Sequence, residues 1–210
     1  MTTFEHAMLA VNGTIATGLT RRYGWKIAAV AGVAAVTPDW DGLVIVASTS
    51  AFAEGHRVWG HNVLACLLAG LLVACLDYRF DLVTRCGRLV ARPLSDDSLQ
   101  DHLVVRRHFS FREGVVWNLV AVAATASHLP ADMIVSGTES LSDWKVRWLW
   151  PFTDDGWGYP MIAWGDPGLA VVFVAGMFSM LRWRSNSRSI ATGTLLVGLS
   201  YIVLRGTLAR

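Results

Sequence analysis

The sequence predicts an all-α, integral-membrane helical bundle of about four to five apolar helices, with a metal site at the helix ends. Three observations predict it: a composition poor in charge, a series of apolar stretches of helical length, and His and Asp side chains that interrupt those stretches. Of 210 residues, 53% are hydrophobic and 16% charged, against roughly 25% charged in an ordinary soluble domain. Mean hydropathy is +0.42. The length suits a single domain, 1–210, since domains typically run to about 100–200 residues. A net charge of +2 is too small to argue for direct nucleic acid binding. Cys66, Cys75 and Cys86 are odd in number and the first two lie inside an apolar run. They read as small core residues rather than a disulfide framework. Met1 to Gly13 contains no Lys or Arg, so a cleaved secretory leader is not expected.

Segments 27–50, 63–78, 115–135, 168–181 and 189–204 are apolar enough to be helices at membrane depth. Several are short, because crossing a ~30 Å hydrocarbon core takes about 20 residues. Segment 27–50 contains Pro38, which disfavours helical geometry at Thr37. Two half-helices meeting at a polar break are therefore an alternative there, tolerated where the backbone is buried or lines a wet cavity. Segment 79–114 is different, with seven Arg, five acids, His102 and His108. It reads as a polar loop or small extramembrane insertion, turning at Arg92-Pro93-Leu94-Ser95-Asp96-Asp97. The basic turn Arg182–Arg188 makes 168–181 and 189–204 a helical hairpin.

Basic residues are retained on the cytoplasmic side of short loops. With five spans and the N-terminus inside, the inner pieces hold Arg21, Arg22, Lys26, the seven Arg of 79–114, Arg182, Arg184 and Arg188; the outer pieces hold Arg57, Lys145, Arg147, Arg205 and Arg210. The bias favours an internal N-terminus, with 51–62 and 136–167 outside. Trp144, Trp148, Trp150, Trp157 and Trp164 of the second outer loop suit an interfacial aromatic belt.

Ionisable groups beside lipid-length apolar sequence are expensive to keep, so each is a candidate functional residue. Asp39 and Asp41 cannot share a helical face but can turn to one cation from a loop. Their alternative role is to cap the following helix. His56 and His61 are five apart; Gly55 and Gly60 let a loop bend both rings inward, with His61 opening the next helix. His128 and Asp132 are four apart, the spacing of one helical face. That spacing suits joint ligation, or a carboxylate orienting an imidazole through its other nitrogen, or a plain polar helix end. Pro130 between them would kink a helix or mark a fresh start. His6 alone is uninformative, and His102 and His108 among arginines suit a solvated face. Asn12-Gly13-Thr14 matches a glycosylation sequon only weakly.

In order, His6, Pro38-Asp39-Trp40-Asp41, His56-Arg57-Val58-Trp59-Gly60-His61, His128-Leu129-Pro130-Ala131-Asp132, Gly137-Thr138 and Trp150-Pro151-Phe152 resemble the membrane-bound metal-dependent hydrolase family, also described as LexA-binding and inner-membrane-associated. Asn62 stands where the family pattern usually has Ser. The resemblance covers 6–152 and implies a reaction class without a substrate. It implies a multi-pass protein of the inner membrane. In that reading His6, Asp39, His61, His128 and Asp132 hold one or two divalent cations. Asp41 and His56 are further ligands, acid/base groups or orienting groups, and Arg57 clamps an anionic oxygen. Imidazole with carboxylate suits zinc, with manganese or iron as alternatives. The cation would activate a water against a phosphoester or lipid-derived substrate.

No Gly-x-Ser-x-Gly, Gly-Lys-Ser/Thr, Cys-x-x-Cys or His-Glu-x-x-His pattern occurs, so serine hydrolase, nucleotide-binding, zinc-ribbon and zincin readings lack support. Two rivals stay open. A transporter would also keep His and Asp at membrane depth, although paired half-repeats are absent. A non-catalytic membrane binding protein would dock a protein partner through 79–114.

Overall fold

A computed structural model describes residues 1–91, 103–106, 108–137 and 145–208. The described residues are helical without strands, as the composition predicts; two isolated bridges, Val135 to Ile162 and Val146 to Trp157, are the only pairings of extended chain among them.

The chain opens with α1, Thr3–Ala16, which the sequence reading had not placed. Its start is a capping box: the Glu5 amide donates to the Thr2 hydroxyl, and the Glu5 carboxylate accepts from the Thr2 amide. Reciprocal capping of this kind satisfies two otherwise orphaned helix amides. A short helix α2, Leu19–Tyr23, lies between Gly18 and Gly24, both at positive φ, and reverses the chain into α3, Lys26–Val36.

The apolar stretch 27–50 is not one helix. It breaks at Thr37 into a 3₁₀ segment, Thr37–Val46, followed by α4, Thr49–Gly55. Pro38 accounts for the break: proline lacks an amide donor and excludes its predecessor from the α region. Helix α5, Val63–Phe80, starts on Asn62, whose side chain accepts from the Ala65 amide at 2.8 Å. Serine is an equally good N-cap, so the departure at this position preserves the capping role.

Segment 79–114 holds more order than a polar loop. It contains α6, Leu82–Ala91, and the first turn of α7, Phe111–Ile134. Helix α6 buries Thr84, exposes Leu89 and Val90 and carries Arg85 and Arg88, the pattern of a helix lying in a membrane interface. The Arg92–Asp97 turn and His102 lie outside the described residues, and His108 is exposed. Helix α7 continues through Pro130 without a fresh start. The expected hairpin is present as α8, Pro167–Arg182, and α9, Ser187–Leu208.

Among the described residues three stretches are long and apolar enough to cross a membrane, Val63–Phe80, Phe111–Ile134 and Arg184–Leu208, with Pro167–Arg182 apolar but shorter. Helices α1 and α3 form an antiparallel pair, α3 packs on α7, and α5 crosses α7 closely. At that crossing a Cβ on Gly70 would stand 2.8 Å from the Val122 Cα. Small residues permit such approach in bilayers, where dispersion and interhelical hydrogen bonds drive association. The main core joins Ile27, Val30, Ala31 and Ala34 of α3 to Trp117 and Ala121 of α7. Helix α1 bridges this group to α8 and α9. Cys66, Cys75 and Cys86 are free thiols. Asn12 is buried in α1 with its amide donating to the Met8 carbonyl, so the sequon is not a surface loop.

The bundle has two chemically distinct ends. At one, Lys26 pairs with Asp81 at 2.7 Å, the Arg106 amide donates to the same carboxylate, and Arg188 donates to the Ala16 carbonyl. The Asp81 carboxyl is opposed by burial, yet Lys26, the Arg106 amide and Thr84 hold it below the usual carboxylate range. The other end gathers the starts of α1, α5 and α8 with the ends of α3, α7 and α9. The N-terminus belongs to this second end, opposite the 79–114 segment. The expectation that both lie on one side is therefore corrected: α1 runs from this end toward the other before α3 returns.

Candidate metal centre

Three parts of the chain bring four side chains together. Asp39 comes from the 3₁₀ segment that Pro38 begins, His61 from the residue before the α5 cap, and His128 and Asp132 from one face of α7. His61 Nε2 and His128 Nε2 stand 3.1 Å apart. Asp39 Oδ1 lies 3.5 Å from His61 Nε2 and 3.4 Å from His128 Nε2. Asp132 Oδ2 lies 3.3 Å and 3.6 Å from the same two nitrogens. Four ligands bonded to a tetrahedral ion at ~2.0–2.1 Å would be separated by about 3.3–3.4 Å. The five separations straddle that value.

The opposite ring nitrogens decide what these atoms offer. His128 Nδ1 is 2.7 Å from the Ala35 carbonyl, and His61 Nδ1 is 3.1 Å from Asp41 Oδ2. Carbonyl and carboxylate oxygens only accept, so both Nδ1 atoms carry the proton when the rings are neutral. Both Nε2 atoms then present lone pairs to each other and to two carboxylates. Such a set is held together by a positive charge placed among its members. The buried rings resist ionisation in general, but at His61 the carboxylates of Asp132, Asp39 and Asp41 outweigh burial and push the pKa up to about 10. Burial likewise opposes ionised Asp39, while His128 and His61 hold its carboxyl well below the usual range.

A surrounding layer orients the four. Asp41 is fully buried; its Oδ2 accepts from the Gly60 amide at 2.9 Å as well as from His61, and its Oδ1 lies 3.0 Å from His56 Nδ1. Burial opposes its ionisation, but His56 and His61 bring its pKa down to about 2. Gly60 is required here by close approach, since a Cβ would lie 1.9 Å from the Pro38 carbonyl oxygen. This contact joins the Pro-Asp-x-Asp and His-Arg-x-x-x-His motifs into one unit. His56 is partly buried and stacks on Phe52. The Thr3 hydroxyl donates to Asp39 Oδ2 at 3.1 Å.

The far side of Asp132 is equally occupied. His6 Nε2 is 3.0 Å from Asp132 Oδ1, and the Met1 amino group contacts the same oxygen. Arg57 Nε is 3.3 Å from Oδ2, while its Nη1 donates to the Ser136 hydroxyl at 2.8 Å. His6 stacks on the His128 ring with centroids 3.5 Å apart. His6 thus stands beside Asp132 rather than among the four converging atoms, although His6, His128 and Asp132 form a group able to hold an ion, as do Asp41, His56 and His61. Arg57 is buried against Asp132. Its guanidinium meets a carboxylate of this chain.

Every residue singled out from the sequence converges here: His6, Asp39, Asp41, His56, Arg57, His61, His128 and Asp132. Thr3, Ser136 and the Ala35 carbonyl were missed. The Thr2-x-x-Glu5 spacing could have announced α1 and hence Thr3 and His6, whereas Ser136 and a backbone carbonyl carry no sequence signal. Thr138 lies outside the described residues. Segment 145–166 covers this end of the bundle, with the Val63 amide donating to the Trp148 carbonyl and Val146 buried on Cys66 and Leu129.

The whole chain, residues 1–209, matches the family described as YdjM inner membrane protein. The chain belongs to that family. No curated protein and no solved structure matches it. A YdjM family member is an inner membrane protein, in keeping with three helices of membrane-crossing length. Its buried His and Asp groups are able to hold a metal ion.

Two outcomes follow from the orienting layer. Asp41→Asn keeps the shape but weakens the grip on His61 Nδ1, and zinc affinity should fall about 10–100-fold, the usual effect of losing an outer carboxylate. Competition with a colorimetric chelator measures it. The second concerns pH. His61 has a folded pKa raised to about 10, above its ordinary value near 6.5. Its protonation stabilises the metal-free protein fully below about 6.5, and that stabilisation is lost as pH rises toward 10. The thermal midpoint of chelator-treated protein should fall over that window. With zinc in place of the proton the fall should be smaller.

Proposed function

We propose that this YdjM family protein is a membrane-bound metal-dependent hydrolase holding one divalent cation, zinc by its donor set, with manganese or iron as alternatives, and acting on a phosphoester or lipid-derived substrate. The observation that carries this reading is the convergence of Asp39, Asp132 and the two Nε2 atoms of His61 and His128, with five separations of 3.1–3.6 Å among them. When bound, a cation at such a site polarises the scissile group and lowers the pKa of a coordinated water. Three of the four side chains, His61, His128 and Asp132, are at most 2% exposed, whereas the Asp39 side chain is 22% exposed. Sites that keep three protein ligands and an exchangeable fourth position are the catalytic kind. Asp39, tethered by Thr3 and the most exposed of the four, would be the carboxylate that accepts a proton from an attacking water. Asp41 holds the His61 tautomer, and His56 in turn contacts Asp41. Arg57 and His6 hold Asp132 in place.

The test is incubation of zinc- or manganese-loaded protein in vesicles with phosphodiester, phosphomonoester and carboxylic ester lipids. Products are read by mass spectrometry, with His61→Ala as control. Metal-dependent release of a headgroup, absent in the variant, is expected. A metal-loaded protein inert toward all three classes overturns the reading.

Sidedness follows from charge. Arg21, Arg22, Lys26, Arg79, Arg85, Arg88, Arg106, Arg112, Arg182, Arg184 and Arg188 belong to one end of the bundle, a bias that supports a cytoplasmic location for that end and the far side for the metal centre. In a background without native cysteines, Arg184→Cys should resist an impermeant thiol reagent in intact cells and Thr153→Cys should react. The opposite pattern would invert the orientation.

A further inference from the structure

Helix α1 lies between two groups of helices that do not close over it. On one flank runs α7, on the other α9, and among the described residues these two have no extended packing contact with each other. The gap is a slot with two lobes of about 260 and 320 Å³ that share Leu9, Ser127 and Leu195 as lining residues. Ser127, Thr14 and Thr17 supply almost all of its polar side chains, and the two hydroxyls that most nearly face it, Ser127 and Thr14, are each spent on a backbone carbonyl of their own helix. Small residues open it. A Cβ on Gly13 would meet nothing within 4 Å, and one on Gly198 only Leu169 Cδ2 at 3.8 Å.

The slot follows α7 from Val120 to Ile134, about 21 Å at 1.5 Å per residue. That exceeds the ~15 Å depth of one leaflet of hydrocarbon. Its walls belong to two stretches of membrane-crossing length, so the medium facing it is acyl chain. An α-helix of ~10 Å diameter laid over this length would need roughly 1,600 Å³, well beyond the two lobes, which rules against a helix seated within it. At one end the slot is bounded by Met1, Ala131 and Val135, and the Met1 amino group contacts Asp132.

We infer that the slot holds one acyl chain of a membrane lipid, with the headgroup beside the Met1 and Asp132 end. This names an acyl-anchored lipid as the substrate class of the metal centre, and it rests on the hydrolase reading for the fate of the headgroup. Occupation by the chain itself requires no metal.

The experiment uses the full chain in vesicles of phosphatidylethanolamine and phosphatidylglycerol containing a phosphatidylglycerol with a photoreactive acyl chain. After irradiation, labelled peptides are mapped. Label should concentrate on Ala123–Ala131 of α7 and Leu195–Leu199 of α9 rather than on Leu68 and Leu72, which are exposed on α5. The double variant Gly13→Leu, Gly198→Leu fills the slot without touching the metal ligands. It should lose slot labelling about tenfold, equivalent to about 1.4 kcal/mol, with α5 labelling and metal content unchanged. Equal labelling of slot and α5 would mean annular lipid only and overturns the inference. So would a slot silent to lipid because a second copy of the chain covers it, seen as chain-to-chain cross-links. Failure of the two readings is distinguishable. Uniform labelling of a protein that binds metal and hydrolyses lipid removes the slot alone; slot labelling of a protein that binds no metal removes the hydrolase alone.

Discussion

Replacing His61 or His128 with Ala should strip the protein of its tightly bound metal. Each ring contributes one of four converging atoms, and each Nε2 lies within 3.6 Å of three others. Structural zinc sites contribute about 10–16 kcal/mol through four ligands, so one ligand accounts for roughly 3 kcal/mol and its loss for a hundredfold or more in affinity. Elemental analysis of purified parent and variants provides the check. The parent should carry about one equivalent and each variant less than a tenth, as a loss of a hundredfold or more in affinity implies. His108→Ala is the matched control, since that imidazole is exposed at the opposite end. Equal metal in parent and His61→Ala would remove this ring from the site.

Asp132→Asn should damage both metal binding and the fold. The carboxylate meets His6, Arg57 and the Met1 amino group on its flanks and His61 and His128 in front. Removing one partner of a buried charge pair typically costs about 3–5 kcal/mol, and here the guanidinium of Arg57 is only 2% exposed. The thermal midpoint should drop substantially even with chelator present, and added zinc should restore little. If Asp132 merely ended a helix, Asn would serve as well and both measurements would match the parent.

The division between what the sequence disclosed and what it hid has a physical basis. His and Asp are so costly at membrane depth that they stand out individually. Asp39, Asp41, His56, His61, His128 and Asp132 were recognisable for that reason, whereas His6 and Arg57 entered through the resemblance. The Pro38 break was foreseeable because proline acts on its neighbours locally. What escaped depends on partners distant in sequence. Helix α1 has modest hydropathy because it carries Glu5, His6, Asn12 and Thr14, all buried within the bundle, and apolarity alone discounts such a helix. Its omission reversed the side assigned to His6, which could not otherwise have reached Asp132. The inward turn of Arg57 depends on positive φ at that residue, 64°, together with Ser136 from the end of α7; neither is written in local pattern. Helix α6 was obscured by its own arginines, which occupy one face of an otherwise apolar helix.

The centre is tested most directly by X-ray absorption at the zinc edge of protein loaded with one equivalent of zinc. The arrangement of His61, His128, Asp39 and Asp132 predicts four nitrogen or oxygen neighbours at about 2.0–2.1 Å, with outer scattering from two imidazole rings, and loss of one ring's contribution in His128→Ala. A sulfur neighbour near 2.3 Å, or a first shell of oxygen alone without imidazole scattering, would contradict it.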